Sequence, residues 1–228
     1  MRGRVFFLSS KNMGPKVVAS SIKKSEEILN KLFDTFADEE DPEVIGSEGI
    51  ETICTQIGIT DAASDVRALV LCWKLGASTL EPLKPGCIKR GEFISSMINL
   101  KQEKIEDLAK MLPSFDPGFM DQKEFRNFYR FVHKFSREDG TQKRFLEKNF
   151  VIDLLPIVLD ISRAPHLKLF LIFLATRPDS DTISADQWDS FLMFNQVVSL
   201  NLDGYDEDSG AWPLLLDEYV EWRKHNKL

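Results

Sequence analysis

Apolar residues recur along most of this chain at the three- and four-residue spacing that builds one face of an α-helix. Ile28, Leu29, Leu32, Phe33 and Phe36 form the first stripe, beginning near Ser25, and Ile50, Ile53, Cys54 and Ile57 form the second. Val66 to Trp73 is apolar nearly all round, which predicts a central, buried helix. Phe93, Ile94, Met97 and Ile98 mark another, and Ile105, Leu108 and Leu112 a shorter one ended by Pro113. Asp121 is placed to cap a helix whose one face carries Phe125, Phe128, Tyr129, Val132 and Phe135; such an aromatic stripe reads as core. Two strongly apolar helices follow over 145–177, the first interrupted by Pro156 and the second opened by Pro165. Ser184 and Gln187 make a capping box for a helix that turns Trp188, Phe191, Leu192 and Asn195 inward and leaves Asp189 and Met193 outward. Pro213 is suited to start the last helix. Nothing reads as strand-rich, so the pattern predicts an all-α fold of nine or ten short helices.

Between the first two stripes, the connection from Asp38 invites comparison with a calcium-binding helix-loop-helix. It fails: Pro42 stands at the fifth ligand position, Glu43 where glycine is needed, and Gly49 where a bidentate Glu is needed. Pro82, Pro85 and Gly86 mark a later loop. His133, His166 and His225 match no metal or catalytic pattern with the cysteines. No cofactor or metal is expected.

The charge is unevenly spread over the 228 residues and net −7. Residues 1–24 hold six basic residues and no acid, with Gly3, Gly14, Pro15 and several serines, and read as a flexible basic arm. From Pro178 to Trp222 there are eleven acids and no Lys or Arg, including Asp206, Glu207 and Asp208 just ahead of the last helix. An acidic C-terminal face disfavours nucleic acid and suits a basic protein surface; a merely solvated acidic face is the alternative. Cys54, Cys72 and Cys87 form no paired motif and point to a reducing compartment. No apolar run approaches a membrane span.

The blocks ALVLCWK, FYRFVHKFSREDGTQ, ISADQW and NLDGYDEDSGAWPLLLDEYVEW, in that order, resemble the potentiating-neddylation domain of the defective-in-cullin-neddylation (DCN-like) family. The last block is the most specific. The resemblance implies a domain over 25–225 built from two EF-hand-like subdomains lacking calcium sites, about 25–118 and 119–225. It also implies a scaffold-type ligase component, without catalytic residues of its own, that binds a cullin and the neddylation conjugating enzyme and so promotes cullin neddylation by positioning. The alternative is a non-catalytic cullin- or other protein-binding module with the same fold. The family grips the cullin's C-terminal winged-helix subdomain through two aspartates and an alanine. Ala211 and Asp217 stand at two of these positions, while Met193 stands at the third and departs from the acidic pattern; Asp189 is a neighbouring acid. A conjugating-enzyme pocket in the first subdomain is assigned to Leu69, Met97, Leu108 and Phe128. The resemblance further implies a monomer of nucleus and cytoplasm.

Overall fold

The computed structural model describes residues 15–77, 86–137, 144–207 and 210–228, with side chains from residue 22 onward. Ten α-helices run through the described residues: α1 Pro15–Asp34, α2 Ser47–Ile57, α3 Val66–Lys74, α4 Arg90–Leu100, α5 Ile105–Met111, α6 Gln122–Phe135, α7 Lys148–Val158, α8 Leu167–Ala175, α9 Ala185–Val197 and α10 Leu214–Asn226. Four very short strands, β1 Val44–Ile45, β2 Ile88–Lys89, β3 Phe145–Glu147 and β4 Thr182–Ser184, pair as two antiparallel ribbons, β1 with β2 and β3 with β4. The all-α expectation holds, with these ribbons added. Expected features at residues 1–14, Pro82, Pro85 and Asp208 lie outside the described residues.

Three strands run directly into a helix and β1 does so after Gly46 alone, so each ribbon sets the starting points of two helices at once. Its reach is extended by a basic residue that opens one of them. In the first half the Arg90 amide donates to the Glu43 carbonyl at 3.1 Å, and in the second the Lys148 amide donates to the Asp181 carbonyl at 3.0 Å. The side chains repeat the tie. Arg90 reaches Asp34 at 2.7 Å, Glu43 at 2.9 Å and the Pro42 carbonyl at 2.7 Å, with its guanidinium over the Phe33 ring. Lys148, 2% exposed, donates to the Arg177 carbonyl at 2.8 Å and to Asp179 at 3.1 Å.

Local boundaries move from the sequence expectation for identifiable reasons. α1 begins at Pro15, ten residues before the apolar stripe, where proline needs no amide partner. Residues 145–147 pair as a strand instead of opening a helix, and α7 continues through Pro156 to stop two residues later. The capping box of Ser184 and Gln187 is present, at 2.8 and 3.1 Å. Asp121 caps α6 by accepting from the Glu124 amide at 2.8 Å.

In the loop before α2, Asp38 accepts from the amides of Glu40 and Asp41, and Asp41 from that of Glu43, so these carboxylates serve the turn itself. The halves meet where α3 packs on α6: Trp73 lies 5.7 Å from Phe128, and Lys74 pairs with Glu124 at 2.8 Å.

Gly49 is dictated by packing. A methyl group there would lie 2.2 Å from the Phe36 carbonyl oxygen and 2.6 Å from Ile45. Gly49→Ala should therefore destabilise the protein by about 1–3 kcal/mol. Gly91→Ala, with no heavy atom within 4 Å of the new methyl, should be neutral or stabilising by up to about 1 kcal/mol. Urea midpoints of the two variants test the pair, and equal midpoints would contradict it.

Candidate partner-binding site

The C-terminal surface is built on a polar cluster buried beneath it. His166, fully buried at the start of α8, places Nε2 3.2 Å from the Val198 carbonyl, which only a ring N–H can satisfy. Its Nδ1 is then the acceptor, taking the Tyr219 hydroxyl at 3.1 Å and facing Arg223 at 3.4 Å. The His166 amide donates to the Asn195 side chain at 2.8 Å, and Asn195 donates to the Phe191 carbonyl at 2.7 Å. Arg223, 3% exposed, donates to the carbonyls of Leu200 and Leu228 at 2.8 and 2.7 Å. Four elements, α8, α9, α10 and the loop between the last two, are thus joined through a few side chains.

That loop is tightly made. The Ser199 amide donates to the Asp203 carbonyl at 2.9 Å, and the Asp203 amide to the Ser199 hydroxyl at 3.1 Å. Gly204 has φ +89°, and a Cβ there would come 2.5 Å from the Val197 carbonyl, so no other residue fits without a backbone shift. Tyr205 then reaches forward to Asp217 with a hydroxyl bond of 2.7 Å. Burial first, and this bond second, push the Tyr205 phenol pKa upward, so it remains a donor. Trp212 lies edge-on to Phe194 at 5.3 Å, and its neighbour Ala211 is exposed. Asp217 is half-buried in the first turn of α10.

Asp189 and Met193 turn the other way, toward α6. Asp189 accepts paired bonds from Arg126 at 3.2 and 2.8 Å and from Arg130 at 2.9 and 2.6 Å. Burial alone would raise its carboxyl pKa, but the two guanidiniums outweigh that and hold it at about 2. The Met193 sulfur, on a side chain 37% exposed in total, lies 2.9 Å from Arg126 Nη2. The structure therefore brings Asp217 together with Tyr205, and Asp189 together with Met193. Phe194, a hundred degrees round the helix from Met193, faces the loop aromatics instead.

The stretch that lacks basic residues in sequence does not lack them in space. Arg177 pairs with Asp181 and Glu218, both at 2.7 Å; Lys148 with Asp179 and Lys224 with Glu207, both at 3.1 Å. Asp186, exposed in the first turn of α9, makes no ion pair among the described residues. Its neighbour Gln187 lines a cavity with Leu214, Leu215 and Glu218, which puts that end of α9 beside the first turn of α10.

Of the residues assigned to a conjugating-enzyme pocket, Met97, Leu108 and Phe128 are fully buried core side chains and Leu69 is partly buried. A cavity of about 400 Å³ lies elsewhere, between α2, the 60–63 turn and the end of α6, lined by Ile50, Ala62, Ala63 and Phe135 with Ser47, Glu51, Thr60, Asp61 and Gly86. None of the four assigned residues lines it. The three cysteines are buried and form no disulfide; burial pushes the Cys54 thiol to about 11 and Cys72 higher still, which leaves little thiolate at neutral pH.

An all-α domain with an acidic surface beside its last two helices is what this geometry defines. The family described as cullin binding matches residues 107–222. The chain is 34% identical over 189 residues to DCN1-like protein 2 of Dictyostelium discoideum, which covers 82% of this chain and 66% of that protein. It is 29% identical over 221 residues to DCN1-like protein 3 of Homo sapiens, covering 96% and 69%, and 34% identical over 186 residues to DCN1-like protein 4 of Danio rerio, covering 82% and 62%. The chain belongs to the DCN-like family, and it spans about two thirds of the length of these relatives.

Burial lowers the pKa of both His166 and His133, the latter bonded by Nε2 to the Ile183 carbonyl at 3.2 Å. In the unfolded chain these rings take up protons near 6.5, before they do so when folded. Their contribution is complete above that value and is lost as pH falls toward the depressed folded values. The urea midpoint should therefore decline between about pH 7 and pH 5; a flat profile would contradict two buried neutral imidazoles.

Proposed function

We propose that this protein binds a cullin and, together with the neddylation conjugating enzyme, promotes transfer of the ubiquitin-like modifier to the cullin. The reading is carried by one observation: Ala211 is exposed beside an α10 whose Asp217 is held in place by Tyr205, at the positions where the family's cullin contact falls. A carboxylate fixed by a hydroxyl donor loses little freedom when a basic side chain docks on it. The names of the relatives and the description of the family support the same reading.

For the second acid of that contact, the geometry favours Asp186 over Met193 and Asp189. Asp186 is exposed, makes no ion pair among the described residues, and precedes Gln187, which lines a cavity with Leu214 and Leu215 at the start of α10. Asp189 already serves two arginines, and Met193 faces α6. The conjugating-enzyme pocket is best placed at the open cavity around Ile50, Ala62, Ala63 and Phe135, whose mixed apolar and polar lining suits a small apolar anchor on a peptide terminus. The chain contributes orientation and local concentration, and the reactive thioester stays on the conjugating enzyme. We read the protein as a monomer of nucleus and cytoplasm, reducing compartments that suit three buried cysteines outside disulfides.

A purified cullin C-terminal region should lose about tenfold or more in affinity for Asp217→Lys and for Asp186→Lys, with circular dichroism unchanged, and keep its affinity for Met193→Ala. Undiminished binding of both lysine variants would remove this surface from the reading. Reconstituted modification of the cullin should accelerate on adding the protein. Cullin binding with no acceleration at saturation would select the non-catalytic binding module.

A further inference from the structure

The solvent side of α6 carries Lys123, Arg126, Arg130 and Lys134, three and four residues apart, a spacing that sets side chains along one helix face. At 1.5 Å per residue the row is ~16 Å long. Among the described residues one carboxylate answers it, because Asp189 accepts from both Arg126 and Arg130. Glu124, on the same helix, is engaged by Lys74 at 2.8 Å, and Asp121 is used in capping. Lys123 and Lys134 are exposed and make no ion pair among the described residues. In a chain of net charge −7, this face is a local reversal of sign. Asp186, which makes no ion pair among the described residues, sits one turn from Asp189 on α9.

An apolar edge runs beside the cations. Gln122 bonds Gln196 at 3.0 Å, which lays the end of α9 along the start of α6. Met193, 37% exposed, and Val197, 58% exposed, follow each other by one helical turn on that end. Water-exposed apolar groups flanking a charged row are what an amphipathic ligand covers and a bare polyanion does not.

We propose that this face docks an acidic amphipathic helix from a partner protein, with carboxylates spaced to meet Lys123, Arg126, Arg130 and Lys134 and an apolar residue set against Met193 and Val197. Asp189 holds the two arginines in fixed positions, so part of the side-chain ordering that binding requires is already done. Nucleic acid fits less well, since the chain's overall negative charge opposes a long polyanion and the apolar edge would stay uncovered. The chain's own residues 1–14, with Arg2, Arg4 and Lys11 and no acid, would be repelled. The inference stands independently of the cullin reading.

The test uses the full chain and a labelled synthetic helix bearing glutamates at i, i+4 and i+7 with leucines on the adjoining stripe, followed by fluorescence anisotropy. Binding should weaken steeply as salt rises through the physiological range, where the screening length is about 8 Å. Lys123→Glu with Lys134→Glu, both exposed and free of internal partners, should reduce affinity at least about tenfold. Val197→Ser should reduce it several-fold with the salt dependence unchanged. Three results would overturn the proposal: affinity unaffected by the double variant, oligothymidylate bound as tightly as the peptide, or a self-associated state that the double variant dissolves. The first removes the face, the second assigns it to nucleic acid, and the third assigns it to a second copy.

Discussion

The C-terminal surface depends on the buried contact between His166 and the Val198 carbonyl. A loop that leaves α9 and turns back into α10 has carbonyls that must be satisfied away from water, each costing about 1–3 kcal/mol if orphaned. His166 takes Val198 and Arg223 takes Leu200. The same two side chains face each other and Tyr219, so the loop's path and the position of α10 are specified by one set of bonds. An apolar core of equal volume would hold these helices together without specifying where the loop runs. Gly204 is a consequence of that path, since the chain passes so close to the Val197 carbonyl that no side chain fits.

Above this foundation, electrostatics decide which acids remain available. Of the carboxylates between residues 178 and 222, those of Asp179, Asp181, Asp189, Glu207 and Glu218 are met by cations from other parts of the chain. The surface is consequently less acidic than its sequence. Among the acids that remain, Asp186 is exposed in the first turn of α9 and Asp217, in the first turn of α10, is oriented by a neutral donor. A hydroxyl partner leaves the carboxylate's charge in place, whereas a guanidinium pair, as at Asp189, largely cancels it.

The helices were legible because their apolar stripes and caps are local signals; Ser184 with Gln187 and Asp121 as a cap are both found in place. The ribbons were not, because two- and three-residue strands carry no measurable alternation and exist only through partners 35 to 45 positions away. Charge pairing was illegible for the same reason: the cations that meet Asp189 lie on α6. The assignment of pocket residues suffered from a different limit. Met97, Leu108 and Phe128 have the apolar character of a pocket lining, but periodicity cannot tell a side chain that lines a cavity from one that fills the core. His166 and Arg223 matched no motif, since their role is to satisfy backbone carbonyls, and any loop of suitable path would create that need.

On the proposed reading, the seam between the halves acquires a role beyond stability. A scaffold that works by positioning gains only to the extent that its two docking places hold a fixed separation, because freedom between them lowers the effective concentration of one bound protein at the other. The cavity beside Phe135 is otherwise lined by residues of 47–86, the surface is on α10, and the chain's earlier and later helices are joined where α3 meets α6. α6 belongs to both: its Phe128 meets Trp73 of α3, its Phe135 lines the cavity, and its Tyr129 carbonyl takes the indole N–H of Trp188 on α9 at 2.9 Å. Tyr129 and Trp188 also stack at 4.5 Å. One helix therefore carries the mechanical connection from cavity to surface, and its solvent side, with few internal partners, is left to carry charge.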